Sequence, residues 1–440
     1  MLEVRIEAVD DEGAGVGPGG GRSVHVAGAL PGEVVRAATL HRSPHRPESW
    51  ARLVEVLEPS PARREPPCPA HGRCGGCPLQ HAAYDEQLRL KRARVERALA
   101  RHPSLHGVVV AACVPAPAET RYRDQAKYVV ARLKGRTVPA SYAPRSHRPV
   151  DMTGCLVPEA PVQAAAEAAV AAAAALGVPV YDERRRTGLL RYVVSRANSS
   201  GQTLVVLVAA ADFPEAEALA RGLRARCPFV VGVILDVNTA SGGVILGGAG
   251  RVLDGVDEVE EDLGGVRLVL GARAFFQVNR AQAARLYVLC AELAALRPTD
   301  VLLDLYSGVG GIALTLAPRA ARVIGIEASA AAVASARRAA SAASSSCEFR
   351  CGDVAPLLAE VAHADVVVLD PPRKGCAPAV LVRLAALAPR RIVYVSCDPR
   401  SLARDLDRLA ALGYRTSEVQ PLDLFPGTAH VECVAALSRE

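Results

Sequence analysis

Three side chains in the last third of the chain can do covalent chemistry on a planar ring. Asp370 follows the apolar run VVVL, Cys397 follows RIVYVS, and Glu432 lies in the last apolar run. Pro371 and Pro372 after the aspartate fix an extended loop that cannot pair further as a strand. We therefore expect Asp370 to end a buried strand and to hold a planar N–H of a substrate.

Cys397 lies between a predicted strand and the basic helical pattern PRSLARDL. A helix amino terminus favours a thiolate, and Arg400 can add to this effect. Methylation of a ring carbon such as C5 of uracil needs a thiolate of this kind. C5 is a weak nucleophile until a thiolate adds to C6, and a base must afterwards remove the proton from C5. Cys397 is thus the candidate nucleophile, and Glu432 and His430 are the candidate bases. The alternative for Cys397 is a buried, inert thiol.

The segment VLLDLYSGVGGIALTLA predicts a strand, a glycine-rich turn and a helix, in which Gly308, Gly310 and Gly311 let a ligand approach the backbone. Glu327 ends the next apolar run, where an acid can accept both hydroxyls of a ribose. The glycine spacing departs from the pyrophosphate-binding pattern, and Asp304 before the turn favours a cation. S-adenosylmethionine, with its sulfonium and ammonium groups, therefore fits better than NAD. The alternative is a packing turn with a solvated acid.

A parallel sheet is needed to bring these residues together. From residue 271 onward, apolar runs alternate with helical patterns, which predicts a doubly wound sheet with ligands at the carboxyl ends of its strands. Residues 1–58 read as short strands and glycine-rich turns, typical of a small β-barrel. Residues 59–270 begin with the linker PSPARREPP and predict an α+β middle domain with one alanine-rich helix at 161–176. The predicted fold class is multidomain α/β.

Cysteines are concentrated in the segment CPAHGRCGGCPLQH. Cys68, Cys74 and Cys77 have the spacing C-x5-C-x2-C, and three thiolates need a fourth ligand to hold zinc or an iron–sulfur cluster. Cys155, which follows a glycine in DMTGCLVPEAP, is our candidate for that ligand. In a zinc site, His71 or His81 are its rivals. The site is thus predicted to hold a metal, with the metal left open.

The composition limits the classes of function. The chain has 440 residues, twelve cysteines and a formal net charge of +6. No stretch reaches the roughly 18 strongly apolar residues of a membrane span, and the acidic amino terminus is unlike a signal peptide. We expect a cytoplasmic protein with reduced cysteines and no membrane attachment. The modest positive charge is compatible with a polyanion partner, and nothing in the charge pattern indicates a protein partner.

The motifs FFQVN, DLYSGVGG, DPPRKG, SCDPRSLARDL and FPGTAHVE occur in the order found in bacterial RNA 5-methyluridine (uracil-C5) methyltransferases, which the chain resembles over essentially its whole length. The cysteines and the amino-terminal strands resemble the branch that modifies 23S rRNA. The resemblance implies an OB-like RNA-binding barrel (a TRAM domain) at 1–58, an iron–sulfur middle domain at 59–270 and a class I, Rossmann-like methyltransferase domain at 271–440. It implies S-adenosylmethionine-dependent methylation of uracil C5 in RNA, with 23S rRNA as the preferred substrate.

The resemblance also assigns roles to single residues. It implies Cys397 as nucleophile, Glu432 as base and Asp370 as a contact to the target uracil near the methyl donor, with the aromatic Phe275 against the base. The residues implied at the S-adenosylmethionine site are Gln277, Tyr306, Glu327 and Asp353, together with Gly308 and Gly311 of the turn and Asp370. The residues implied as ligands of a [4Fe-4S] cluster are Cys68, Cys74, Cys77 and Cys155.

Two positions depart from this family: Gly311, where Asn is common, and Gly427, where a bulkier residue is usual. A tRNA 5-methyluridine methyltransferase is the first alternative. A non-catalytic, cluster-containing RNA-binding protein would have no use for Asp370, Cys397 and Glu432 together. A radical S-adenosylmethionine enzyme would need a C-x3-C-x2-C spacing, whereas the first gap here is five residues.

Overall fold

The computed structural model describes residues 1–240, 244–247 and 250–439. They form three large sheets and a two-stranded hairpin, with helices packed on the middle and carboxyl-terminal sheets. No helix in these ranges is both long and apolar enough to cross a membrane.

The first 58 residues build a six-stranded sheet. Its strands are β1 (Leu2–Arg5), β2 (Ala8–Val9), β3 (Gly15–Gly19), β4 (Arg22–Ala27), β5 (Val34–Arg42) and β6 (Glu48–Glu58). They pair in the order β1-β5-β6-β4-β3-β2, and only β4 and β6 run parallel. The predicted strand-rich unit is therefore present. Its short edge strands, of four and two residues, do not pair with each other among the described residues, so a closed barrel is not seen.

Helix α1 (Tyr84–Leu99) follows the cysteine segment and connects it to the rest of the molecule. Its apolar residues Val95, Ala98 and Leu99 join a core cluster that belongs to the carboxyl-terminal sheet. A short strand, β7 (Val109–Val110), then lies along an edge of that sheet. The cysteine segment is consequently attached to the carboxyl-terminal unit, although it is far from it in sequence.

The middle of the chain forms a seven-stranded sheet covered by two helices. Its elements are β8 (Gln125–Leu133), β9 (Arg136–Tyr142), β10 (Pro149–Asp151), α2 (Ala160–Ala175), β11 (Leu190–Ala197), β12 (Thr203–Ala209), α3 (Ala216–Arg226), β13 (Val230–Val237) and β14 (Gly250–Gly255). Helix α2 is the predicted alanine-rich helix. Helix α3 was not predicted, because its apolar face consists of only a few residues among arginines and glutamates, with Leu219 and Leu223 fully buried.

A hairpin of β15 (Glu258–Leu263) and β16 (Val266–Gly271) leads into the last part of the chain. One hydrophobic core contains Val206 of the middle sheet, Leu268 of the hairpin and Leu302 of the carboxyl-terminal sheet. The packing is therefore continuous across position 270, where the sequence predicts a domain boundary.

The carboxyl-terminal sheet has eight strands, including β7. The remaining elements are α4 (Arg280–Ala294), β17 (Val301–Leu305), α5 (Gly311–Leu316), β18 (Arg322–Glu327), α6 (Ala330–Ala342), β19 (Glu348–Cys351), α7 (Val354–Ala359), β20 (Val366–Leu369), α8 (Pro378–Ala386), β21 (Arg391–Ser396), α9 (Pro399–Ala411), β22 (Tyr414–Leu422) and β23 (Glu432–Arg439). The order is β19-β18-β17-β20-β21-β23-β22-β7, and β23 runs antiparallel to its neighbours. This is the predicted Rossmann-like arrangement.

Candidate active site

The sheet brings Asp370, Cys397 and Glu432 to one edge. Strand β20 is buried along its whole length and lies parallel to β21, so Asp370 and Cys397 leave the sheet at the same end. Strand β23 is antiparallel to β21, with Ser396 opposite Cys433. Because of this reversal, Glu432 at the start of β23 comes next to the point where Cys397 follows β21. The strand order thus brings Asp370 and Glu432 to the same edge, although they are 62 positions apart in the sequence.

The two carboxyl groups at this edge are poorly solvated. Burial raises the pKa of Glu432 well above its usual value, the charge of Asp370 raises it further, and Arg373 opposes both. Loss of solvent raises the pKa of Asp370 to about 6, while a hydrogen bond from Gln277 lowers it. The Nε2 atom of Gln277 lies 3.5 Å from Oδ2 of Asp370. The edge therefore favours protonated acids or a nearby cation.

The thiol of Cys397 is not activated in the way that the sequence suggests. Burial raises its pKa to about 11, Glu432 and Asp370 raise it too, and Arg373 acts in the opposite direction. The start of helix α9 is capped by Asp398, which accepts hydrogen bonds from the amides of Arg400 and Ser401 over 2.8 and 3.3 Å. In the free protein a carboxylate therefore already caps this helix amino terminus and competes with the expected stabilisation of a Cys397 thiolate.

Arg400, which the sequence suggests as a further stabiliser of the thiolate, is engaged with acids. Its guanidinium pairs with Asp11 over 3.1 Å, and Asp398 is 3.9 Å away. Arg373, which follows the Asp-Pro-Pro loop, is the cation that acts on both Cys397 and Glu432. No role was predicted for Arg373 from the sequence. Its position directly after the Asp-Pro-Pro loop was the feature that could have indicated one.

The three glycines of the predicted cofactor turn differ in what a side chain at their position would meet. A Cβ at Gly308, whose φ is +54°, would meet nothing within 4 Å. A Cβ at Gly310 would come within 2.8 Å of the Phe349 ring, and one at Gly311 within 2.5 Å of the Tyr287 hydroxyl. Gly308 therefore faces open space, whereas Gly310 and Gly311 are required for packing. Gly311 leaves no room for the Asn that the related family often has.

Two acids border this turn. Glu327, at the end of β18, accepts hydrogen bonds from the amides of Gly308 over 3.1 Å and of Ser329 over 2.7 Å. Asp304 is buried, and burial followed by Asp370 and Glu327 raises its pKa to about 8, although the amide of Ala313 donates to it over 3.0 Å. A cationic ligand would relieve this accumulation of buried acids, so the donor set fits a sulfonium and an ammonium group.

The remaining predicted site residues lie around the same edge with different exposures. Phe275 is 76 % exposed in the loop before α4. Asp353 is exposed at the start of α7. Tyr306 has a left-handed backbone, with φ of +63°, and its half-buried ring packs against the core that contains Cys376. A strained backbone at a strand end is frequent at functional sites.

The four predicted metal ligands lie in one neighbourhood, although no group of three or more His, Cys, Asp or Glu in the described ranges has a ready metal-binding arrangement. Burial raises the pKa of Cys77 to about 12, and Cys155, Cys74 and Cys68 raise it further. The amide of Gly76 donates to Sγ of Cys74 over 3.4 Å. A buried thiol whose pKa is raised further by three nearby cysteines fits a site that a metal would complete, since thiolates are favoured by coordination.

Comparison with known proteins agrees with this geometry. A family model described as tRNA (Uracil-5-)-methyltransferase matches residues 355–440, and a methyltransferase-domain model matches 302–372. The chain is 41% identical to an RNA methyltransferase of Geobacter sulfurreducens, covering 100% of this chain and 90% of that protein. It is 36% identical to one of Halalkalibacterium halodurans, covering 99% and 96%. The chain belongs to the RNA uracil-5-methyltransferase family.

A solved relative extends the comparison to the whole fold of this methyltransferase. The tRNA (uracil-54, C5)-methyltransferase of Pyrococcus abyssi, in complex with S-adenosyl-L-homocysteine, superposes with a TM-score of 0.81 at 29% sequence identity. The superposition covers 99% of this chain and 100% of the other. The fold of this chain is therefore that of the archaeal enzyme over essentially its whole length.

Proposed function

We propose that the protein methylates C5 of an RNA uridine through a transient bond between Sγ of Cys397 and C6 of the uracil. The observation that carries this proposal is the convergence of Cys397, Glu432 and Asp370 at one sheet edge, where β23 is antiparallel to β21. Addition of the thiolate to C6 places the electron pair on the enolate, which makes C5 nucleophilic.

Glu432 is the base that completes the reaction. After methyl transfer, C5 carries both the methyl group and a proton. Glu432 removes that proton, the electron pair re-forms the C5–C6 double bond, and the bond between C6 and Sγ breaks. The base is the ionised form of Glu432, which Arg373 favours, and burial makes that carboxylate a stronger base because it raises the pKa. Arg373 stabilises the anionic forms of both Cys397 and Glu432, and Asp370 holds an N–H of the uracil.

S-adenosylmethionine supplies the methyl group as an electrophilic sulfonium. Gly308 leaves open space beside the turn, Glu327 can accept the ribose hydroxyls, and Asp304 lies below the turn as a buried acid. Gln277, Tyr306 and Asp353 lie at the same edge and complete the proposed binding surface. The exposed Phe275 is the proposed aromatic contact to the base.

Two further parts of the chain are assigned to RNA handling and stability. The amino-terminal sheet is proposed to be a TRAM-like RNA-binding unit. Cys68, Cys74, Cys77 and Cys155 would hold a [4Fe-4S] cluster with a structural role, and zinc is the alternative metal. Cys155, Cys74 and Cys68 all lie close enough to raise the pKa of Cys77, which supports the assignment of one shared site.

The RNA substrate has two candidates. We propose 23S rRNA because the chain combines the amino-terminal sheet with the cysteine group. A tRNA is favoured by another observation, because the archaeal enzyme that aligns over the whole chain is named for tRNA uracil-54.

One experiment tests the reaction and the substrate together. The anaerobically purified protein is incubated with methyl-labelled S-adenosylmethionine and total RNA from a strain that lacks it, and nucleosides from separated 23S rRNA and tRNA are analysed by mass spectrometry. Label in 5-methyluridine from 23S rRNA supports both proposals. The same nucleoside from tRNA alone overturns the rRNA assignment, and label in another nucleoside overturns the uracil-C5 chemistry.

A further inference from the structure

A cavity of about 700 Å³ lies where the amino-terminal sheet meets the reaction centre. Its wall includes His25, His41 and Trp50 of the sheet, and also Cys397 and His430 of the carboxyl-terminal unit. A volume of this size is within the range of cavities that enclose organic ligands. The sheet thus contributes side chains to the same space as the proposed nucleophile.

Three rings of the sheet form a stacked row in this cavity. The centroid of the Trp50 ring lies 5.3 Å from that of His25, with 20° between the planes, and 5.7 Å from that of His41, with 28°. Strand pairing causes this row, because His25 of β4 and His41 of β5 are both register partners of Trp50 on β6. The guanidinium of Arg145 lies 6.0 Å from the Trp50 ring centre.

Several charged groups of the cavity wall are paired with one another. Asp10 contacts His25 over 2.7 Å, and Glu12 contacts Arg145 over 2.6 Å. Asp11 contacts Arg94 and Arg400, both over 3.1 Å. The wall contains five acids beside four arginines, so the cavity is not a cationic track for phosphates. Its free recognition element is therefore the row of rings.

Asp11 also fixes where the row lies. It belongs to the loop between β2 and β3, whereas Arg94 belongs to α1 and Arg400 to the first turn of α9. These two contacts attach the amino-terminal sheet directly beside the helix that follows Cys397. The distance between the row and the reaction centre is consequently set by ion pairs rather than by a linker.

We propose that the His25–Trp50–His41 row stacks the base of an RNA nucleotide that is a close chain neighbour of the target uridine. This inference rests on the proposed function, because it takes the uridine itself to be at Cys397. Aromatic rings bind single-stranded bases with little dependence on sequence, and His41 is exposed and offers a free ring face. The row would hold the RNA beside the path by which the flipped uridine enters the site.

Trp50 is the only tryptophan of the chain, so its fluorescence reports on the row directly. The probe is a single-stranded RNA of about 12 nucleotides with one central uridine among adenosines. Binding to the full-length protein is expected to quench Trp50 emission. In a separate anisotropy measurement with labelled RNA, Trp50→Leu and His41→Ala are expected to weaken binding about tenfold or more. His45→Ala, at an exposed position of the loop between β5 and β6 outside the cavity wall, is the matched control and should bind as the wild type does.

The outcomes separate the two proposals. Binding of S-adenosylmethionine that is unchanged in Trp50→Leu shows that the variant is folded, and Trp50→Phe is expected to restore RNA binding. Unquenched fluorescence together with unchanged RNA affinity of Trp50→Leu and His41→Ala overturns the stacking row, even if 5-methyluridine is formed. Quenching and weakened variants without formation of 5-methyluridine from any RNA would support the row and overturn the proposed function.

Discussion

The backbone amide of Leu79 donates to the carbonyl of Gly427 over 2.8 Å. The amide of Gly427 in turn donates to Oε1 of Gln87 over 2.7 Å, and Arg94 donates to the carbonyl of Ala429 over 2.7 Å. The cysteine segment and α1 therefore bind the backbone of the loop that leads into Glu432. The loop that carries the proposed base is positioned by residues more than 300 positions earlier in the chain.

The buried pair between Lys91 and Asp423 is expected to be the strongest of these connections. Both side chains are fully buried, and Lys91 also donates to the carbonyl of Phe425 over 3.0 Å. Lys91→Met would leave a buried carboxylate without its cation, which costs about 3–5 kcal/mol. The free energy of unfolding, measured with urea, should fall by this amount, and methylation should fall with it at temperatures where the variant is folded.

The neighbouring pair of Arg92 and Glu96 is the control for this measurement. It joins side chains that are 46% and 47% exposed over 2.9 Å on the same helix. Arg92→Met should change the unfolding free energy by less than about 1 kcal/mol, because exposed ion pairs contribute little. Equal losses from the two variants would contradict the assignment of the buried pair.

The metal content of the proposed cysteine site can be tested without measuring methylation. If Cys155 is the fourth ligand, protein purified without oxygen should contain iron and acid-labile sulfide, and Cys155→Ser should lose most of both. Cys227 is buried in the middle unit and is not one of the four, so Cys227→Ser should keep its iron. Zinc in place of iron would overturn the cluster and keep the site. Equal metal content in the two variants would remove Cys155 from it.

The sequence was sufficient to predict the sheet edge at which Asp370 and Cys397 lie. Apolar runs that end at Asp370 and Cys397 predict parallel strands whose carboxyl ends meet, and β20 and β21 have this arrangement. Contacts between side chains that are distant in the sequence could not be predicted from these local patterns. The choice of Arg373 over Arg400 depends on Asp11, an amino-terminal residue that occupies Arg400 through a tertiary contact. Likewise, the need for glycine at position 311 comes from Tyr287, on a helix whose contacts the local sequence does not specify.

Buried acids should make the free protein less stable as the pH rises. The pKa of Asp304 is raised from 3.8 to about 8, chiefly by burial, so the folded state retains a proton that the unfolded chain has already lost at neutral pH. The contribution of Asp304 is complete below about pH 4 and is lost as the pH rises through about 8. Asp304→Asn should therefore weaken the fall in unfolding free energy between these values, and Asp85→Asn, at an exposed position, should not.

The buried acids Asp304 and Asp370 should release protons when the cationic cofactor binds. A ligand cation lowers the pKa of a nearby acid, so binding at pH 7 should release protons into the buffer. Calorimetric titration in two buffers of different ionisation enthalpy measures that release. S-adenosylmethionine should release more than S-adenosylhomocysteine, which lacks the sulfonium charge. Equal release from both ligands would show that the sulfonium does not reach Asp304 or Asp370.

Reactivity of the Cys397 thiol should depend on Arg373. The pKa of this thiol is about 11, and Arg373 opposes the burial and the two acids that raise it. Arg373→Met should raise the pKa further and slow alkylation of Cys397 by iodoacetamide at pH 8, followed by mass spectrometry of the peptide. Arg400→Met is the matched control and should alkylate at nearly the wild-type rate, since Arg400 pairs with Asp11. The reverse order of the two variants would return the activating role to Arg400.

Replacement of Glu432 should separate methyl transfer from product release. Glu432 is 2% exposed and its raised pKa favours the neutral form, so the isosteric Glu432→Gln variant should fold. Without the base, the proton on C5 remains and Cys397 cannot be expelled, so turnover should fall about 10²- to 10⁴-fold. A covalent protein–RNA adduct that contains the transferred methyl group should then accumulate and be visible on a denaturing gel. Cys397→Ala combined with Glu432→Gln should abolish the adduct, and Glu418→Gln, at an exposed position of β22, should turn over normally. Free 5-methyluridine product at the normal rate from Glu432→Gln would assign the proton removal to another group, for which His430, in the wall of the same cavity, is the first to test.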